Sequence, residues 1–274
     1  MQSPHPDIIR RIDIQAISQR YREAAPTHFF AIDGFLQPEF AQHLAASFPS
    51  FQGALDRGGK EFTRVNERVK VQLTDASRFS VPAARLHEAL ASPEWLELLS
   101  GVTGIENLHA DPELKGGGLH LVGPGGGLGV HADFNFLEKR RWFRRLNILV
   151  YLTPDWDEEW GGDFELWDPE VRELREVIPP RFNCCMVFNT TRTSFHGVRT
   201  IRCPEGVTRN AFAAFYYTEE PPEGWNGEYH STIYRARPGE WRKRFVEMPL
   251  DRAAFRMRHA WRAARRLRRR VGRS

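Results

Sequence analysis

The stretch that most constrains the fold runs from Leu128 to Phe136 and reads L-G-V-H-A-D-F-N-F. Leu128, Val130, Ala132, Phe134 and Phe136 alternate with Gly129, His131, Asp133 and Asn135. Period two is the strand period, so one face is wholly apolar and the other carries an imidazole, a carboxylate and an amide. A chain containing this segment has to build a sheet with a buried face. The polar face then admits two readings: it faces water, or His131 and Asp133 point the same way because they grip one metal ion.

The flanking sequence says what kind of sheet. Helical patterns come first. One covers 13–24, capped by Asp13 and ended by Pro26, and a second covers 39–48, stopped by Pro49. Two more, at 82–90 and 93–99, have proline near the start, where its missing N–H costs little. A short strand is expected at 28–36 and a loop at 52–60, so the first 110 residues read as mostly helical with no site-like cluster. Residues 116–129 then hold eight glycines. No Gly-Lys-Ser/Thr and no helix pattern follows, which excludes a phosphate loop. The glycines predict a tight hairpin between strands at 119–122 and 128–136. Further strands are expected at 146–152, 163–167, 184–189 and 209–217. Helices followed by strands, without βαβ alternation, predict an α+β chain with an antiparallel sheet pair.

Length and charge narrow the class. At 274 residues with 41% hydrophobic and 27% charged side chains, the chain reads as globular, and no apolar run approaches a membrane span. The N-terminus shows no secretory pattern. Three cysteines, Cys184, Cys185 and Cys203, fit a reducing cytoplasm without a disulfide framework. The chain carries +4 overall and residues 239–274 carry +10, so the first 238 residues carry −6. The basic balance therefore does not describe a nucleic-acid-binding body. It describes a tail, expected to be helical over 251–271, with Met257, Ala260, Trp261, Ala264, Leu267 and Val271 on one face and arginines on the others. That tail is read as a solvated helix, as a peripheral contact to an anionic membrane surface, or as an RNA contact. The expected location is cytoplasmic, with the inner face of the membrane as the peripheral option. The expected organisation is one catalytic domain over 1–238, with 1–115 mainly helical and 116–220 forming the sheet core. The basic tail over 239–274 follows it.

His-Ala-Asp occurs twice, at His109-Ala110-Asp111 and at His131-Ala132-Asp133. Pro112 follows the first copy and cannot donate to a sheet ladder, which puts that copy in a loop. The second lies in the alternating strand. Two imidazoles and one carboxylate leave three positions of an octahedral ion open, the arrangement of non-haem Fe(II) oxygenases. A second histidine has to come from elsewhere. His196, at the end of an apolar strand, is better supported than His230, after a loop, or His259, in the basic tail. On the strand 209–217, Arg209 shares a face with Ala211, Ala213 and Phe215, leaving room beside a guanidinium that can hold a carboxylate bidentately. Asn147, Leu149 and Tyr151 share a face of 146–152.

With these pieces in hand, the chain resembles the 2-oxoglutarate/Fe(II)-dependent dioxygenases of the prolyl 4-hydroxylase-like type. The matching motifs are G-G-G-L-H (116–120), H-A-D-F-N (131–135), R-R-L-N-I-L-V-Y-L (144–152), W-G-G-D-F-E-L-W-D (160–168), S-F-H-G (194–197) and T-R-N-A-F-A-A-F-Y-Y (208–217). The resemblance implies a double-stranded β-helix, a jelly-roll barrel, with the N-terminal helices packed on it and a basic C-terminal helix. It implies His131, Asp133 and His196 as iron ligands and Arg209 as the partner of the distal carboxylate of 2-oxoglutarate. Tyr151 would assist Arg209, Phe164 and Leu166 would line the pocket floor, and Asn135 and Asn147 are further candidates. Leu121 stands where several relatives place a tyrosine. The implied cofactors are Fe(II), 2-oxoglutarate and O2, with ascorbate as a reductant. The implied reaction hydroxylates a C–H bond and yields succinate and CO2. The substrate classes weighed are a prolyl residue in a peptide, a small metabolite and a glycan; the alternative is a silent 2-oxoglutarate- and metal-binding sensor or interaction module.

Overall fold

The computed structural model describes residues 5–251 together with 253 and 254. The expected helix over 251–271, and His259 with it, lies outside the described residues. The element order is α1 (Ile14–Glu23), β1 (Phe29–Ile32), α2 (Pro38–Ala46), α3 (Phe51–Asp56), β2 (Lys60–Arg64), β3 (Glu67–Leu73), α4 (Val81–Ala91) and α5 (Pro93–Thr103). It continues with β4 (His109–Ala110), β5 (Gly118–Ala132), β6 (Phe136–Leu137), β7 (Trp142–Tyr151), β8 (Phe164–Trp167), β9 (Leu174–Ile178), β10 (Cys185–Asn189), β11 (His196–Val198), β12 (Arg209–Thr218) and β13 (Ile233–Tyr234). The helices begin where their caps predict: Asp13 accepts from the Ala16 amide at 3.1 Å and Ser92 from Trp95 at 3.2 Å.

The strands form one curled antiparallel sheet in the order β1-β10-β7-β12-β5-β11-β8-β9. Period two sorts its residues. Leu119, Leu121, Leu146, Ile148, Val150, Cys185, Val187, Phe212, Ala214 and Tyr216 point outward into one core shared with α1 to α5. Their neighbours in sequence point into the concavity. A buried chain of hydrogen bonds pins the helices to the sheet: Trp95 Nε1 donates to the Tyr216 hydroxyl at 2.7 Å, which donates to the Leu90 carbonyl at 3.0 Å. Cys184 and Cys185 are buried free thiols in different clusters, as adjacent strand residues must be. This is the α+β, jelly-roll class that the motifs imply.

Two local expectations are corrected. The glycine-rich stretch does not close a hairpin. β5 runs from Gly118 to Ala132, pairing with β12 at 118–122 and with β11 at Leu128 and His131. β3 runs along its other edge from Leu119 to Leu128 and holds both halves in one ladder. The glycines make the bend by which β5 passes from one half of the sheet to the other. At Gly126 a Cβ would meet Val122 Cγ1 at 2.5 Å and the Gly123 carbonyl at 2.8 Å. Secondly, the alternating stretch is not one strand, because the ladder ends at Ala132. Its apolar face is not covered by the N-terminal helices either: Val130 and Ala132 pack with Trp167, Val171 and Phe195.

The first hundred residues also contribute strands. The β2–β3 hairpin extends the sheet beside β5, and its charged pattern, K-E-F-T-R and E-R-V-K-V, conceals it from an apolar-periodicity reading.

Candidate metal centre and cosubstrate pocket

The concave face encloses a cavity of about 610 Å³. At one end His131, Asp133 and His196, all buried, bring one ligand atom each to within 4.8 Å of one another. Register does this. His131 near the end of β5 stands directly opposite His196 at the start of β11, and Asp133 follows where the chain leaves the ladder. His131 Nε2 lies 3.4 Å from Asp133 Oδ1, and His196 Nε2 lies 3.5 Å from Asp133 Oδ2.

The tautomers follow from the partners. His131 Nδ1 is 2.9 Å from the Gly129 carbonyl and His196 Nδ1 is 3.0 Å from the Ser194 carbonyl. A carbonyl only accepts, so both Nδ1 atoms carry the proton and both Nε2 lone pairs face the carboxylate. The His196 ring sits between Phe164, nearly parallel at 5.4 Å, and Phe188, edge-on at 4.7 Å. Burial, with His131 beside it, lowers the His196 pKa to about 3. Burial acts to raise the Asp133 pKa, but Arg144 and the two imidazoles override it and hold the carboxyl well below the usual range.

Asp133 is held from behind. Asn147 Nδ2 donates to its Oδ2 at 2.8 Å, and Arg144 Nη2 approaches the same oxygen at 3.1 Å. Arg144 Nε in turn donates to Asn147 Oδ1 at 2.8 Å, and its guanidinium lies 3.5 Å from the centroid of Phe215. Asn147 thus orients the Asp133 carboxylate. Arg144 is a residue that sequence reasoning misses: within R-R-L-N, adjacent arginines read as a solvated strand end.

At the other end of the cavity stands Arg209, fully enclosed, its guanidinium 4.7 Å over the Tyr151 ring. Its Nε and Nη2 atoms and the Tyr151 hydroxyl are buried without a hydrogen-bond partner. Burial lowers the pKa of this guanidinium, and Tyr151 and Asp163 oppose the shift. Unpaired buried donors are costly unless a ligand completes them. Ala213 lies on the cavity wall between Arg209 and Phe215.

The remaining expected residues divide. Phe164 lines the cavity, whereas Leu166 packs beside it with Met186 and Phe188 and does not reach the space. Asn135 faces away, because the chain has left the ladder. Its amide donates to the Glu228 carbonyl and accepts from the His230 amide, tying down the segment after β12. Leu121 is buried toward the helices, and His120 occupies the pocket side, 3.0 Å from Gln72 Nε2. Lys70 and Gln72 of β3 and Phe62 of β2 also line the cavity, contrary to a site-free N-terminal region. The His109-Ala110-Asp111 copy serves structure but is not in a loop: His109 and Ala110 pair with β12 as β4, Asp111 accepts from the amides of Glu113 and Lys115, and His109 stacks on Trp142 at 4.7 Å. Among the described residues the triad is the sole ligand cluster of this kind.

The chain was compared with known proteins. Residues 117–217 match the model of the 2OG-Fe(II) oxygenase superfamily. Prolyl 3-hydroxylase OGFOD1 of Mus musculus is 27% identical over 78 residues, which cover 27% of this chain and 14% of that protein. A Trichoplax adhaerens prolyl hydroxylase, solved with a hypoxia inducible factor peptide fragment, superposes with a TM-score of 0.53 at 18% identity. That likeness covers 75% of this chain and 91% of the other. A Pseudomonas putida prolyl-4-hydroxylase gives 0.50 at 15% identity, covering 74% and 98%. The epimerase SnoN, solved with Fe3+, α-ketoglutarate and nogalamycin RO, gives 0.52 at 15%, covering 82% and 94%. At these identities the solved structures show the fold, and the matched segment 117–217 contains the triad and Arg209. The part of this chain that is similar to the 2OG-Fe(II) oxygenase superfamily model is thus the part that carries the candidate site.

Proposed function

We propose that the chain is a 2-oxoglutarate- and Fe(II)-dependent dioxygenase that hydroxylates a C–H bond of its substrate. The observation that carries this reading is the pairing of two sites across one cavity. A two-histidine, one-carboxylate triad stands at one end, and a buried guanidinium without an acceptor at the other. A hydrolytic metal site leaves Arg209 unexplained; a dicarboxylate cosubstrate uses both ends. When bound, Fe(II) with 2-oxoglutarate and O2 supplies the oxidation of substrate to its hydroxylated product, with release of succinate and CO2.

The chain's own residues do the rest. His131, Asp133 and His196 would hold the ion through two imidazoles and one carboxylate. Their Nδ1 donations to Gly129 and Ser194 fix the ring orientations and turn both Nε2 atoms toward Asp133. Asn147 and Arg144 fix the plane of the Asp133 carboxylate. Arg209 receives the distal carboxylate, with the Tyr151 hydroxyl beside it. Leu149, Phe164 and Phe188 line the space with apolar surface and keep water from it. Ascorbate is the reductant to supply in assays. The prolyl hydroxylases among the relatives make a peptidyl proline the first substrate to test, followed by small metabolites and glycans.

Anaerobic addition of Fe(II) and 2-oxoglutarate is expected to produce a weak visible charge-transfer band, absent in His131→Ala. A folded wild-type protein without the band overturns the reading. A peptide, metabolite and glycan screen for succinate release and for mass gain of one oxygen atom then identifies the substrate.

A further inference from the structure

Beyond β13 the chain is helical over 241–251, with a π-helical turn at Lys243–Glu247. This helix buries Met248 and carries four other large apolar side chains outward: Trp241 and Phe245 are each 68% exposed, Leu250 is 63% exposed and Val246 is 43% exposed. Half of the exposed large hydrophobics among the described residues thus fall within ten positions. Beside them runs a groove lined by Arg172, Arg235 and Arg244. None of these three arginines has a carboxylate within ion-pair distance among the described residues. Residues 252–274 then add ten arginines and no acidic residue.

We propose that this surface docks the protein on an anionic lipid bilayer, with Trp241, Phe245 and Leu250 entering the headgroup–acyl boundary and the arginines meeting lipid phosphates. Apolar side chains beside cations that lack a carboxylate partner are the two components that interfacial binding needs. The alternatives fit less of the surface. A second copy of the chain would bring another strongly basic tail against this one. RNA can use arginines and stack on Trp241 or Phe245, but it has no use for exposed Val246 and Leu250. The docking surface is also tied to the pocket. Thr232 and Tyr234 line the cavity, and Arg237 donates to Glu165 at 2.7 Å and to the carbonyls of Leu128 and Val198, each at 3.2 Å. Six residues separate Tyr234 from Trp241, at most about 25 Å of chain. Docking therefore holds the pocket within reach of the membrane surface. The inference is independent of the metal-site chemistry.

The test uses the full chain and sedimentation with vesicles of phosphatidylcholine alone or with about 30% phosphatidylglycerol. Wild type is expected to bind the anionic vesicles and not the neutral ones. The combined variant Trp241→Ser, Phe245→Ser, Leu250→Ser is expected to partition at least about tenfold less, with unchanged thermal unfolding and metal binding. Brominated lipid is expected to quench wild-type fluorescence more than that of Trp241→Phe, a readout that does not need the triple variant to fold. Equal partitioning of variant and wild type, equal binding to neutral vesicles, or preference for single-stranded RNA over vesicles overturns the proposal.

Discussion

At the metal end of the pocket the polar atoms that do not ligate have partners: both histidine Nδ1 atoms donate to carbonyls, and Asp133 Oδ2 meets Asn147 and Arg144. At the Arg209 end, Nε and Nη2 of a buried guanidinium and the hydroxyl of Tyr151 have none. Both ends rest on the same strands. Arg209 and Phe215 belong to β12, Asn147 and Tyr151 to β7, so the difference is not one of support. The chain preorganises the three ligands against its own backbone and leaves the other end to be completed from outside. Under the proposed function, a site that keeps an ion through many turnovers benefits from internal partners, and one that exchanges a cosubstrate each turnover benefits from their absence.

Removing a ligand should give the largest break. His131→Ala or His196→Ala is expected to weaken metal binding by more than about 100-fold, beyond the usual effect of losing an outer partner. Calorimetric titration with Mn(II) checks this; unchanged affinity would mean that the triad is not the metal site. Next comes Arg209→Met, which should separate the two ends. Loss of charge-assisted hydrogen bonds is expected to weaken 2-oxoglutarate binding by roughly 10- to 100-fold while metal affinity stays. The same substitution should raise the melting temperature of the ligand-free protein, because an unpartnered buried charge is removed. If the melting temperature falls and 2-oxoglutarate affinity is retained, the ends are not divided as described.

Asn147→Ala should act on the metal end with a smaller effect, about tenfold in metal affinity, by releasing Asp133 Oδ2. The smallest effect is in pH dependence. Unfolded His196 protonates near the ordinary value of 6.5, whereas the folded residue resists protonation until about 3. The unfolded state therefore binds more protons in that window, and stability of the metal-free protein should fall as pH drops from 6.5 toward 3. Melting curves across that range check the slope. Arg209→Met should leave it unchanged, since the slope belongs to the metal end.

Much of the site was legible because strands expose their pattern locally. Period two puts His131 and Asp133 on one side of their stretch and Asn147 on a face with Tyr151, and the alanines beside Arg209 leave it room. The helices were legible through Asp13, Ser92 and the prolines. What escaped had competing local signals. Glycine density around 123–127 reads as a turn, but the ladder with β3 keeps β5 continuous. The β2–β3 hairpin is written in charged residues, so its placement of Phe62, Lys70 and Gln72 over the cavity left no apolar rhythm. Arg144 looks like one of several surface arginines until Asp133 and Phe215 surround it.

By itself the sequence determined which residues could share a face, where helices start and stop, and that a carboxylate and an imidazole leave β5 on one side. These are properties of neighbours along the chain, set by backbone geometry and capping chemistry. Only the tertiary structure decided that His196 stands opposite His131, that Asn135 holds a distant segment instead of a cosubstrate, and that Val130 and Ala132 are covered by Trp167 and Phe195. Those facts depend on register and on which surfaces meet. They follow from the packing of segments dozens of residues apart, which no local period encodes.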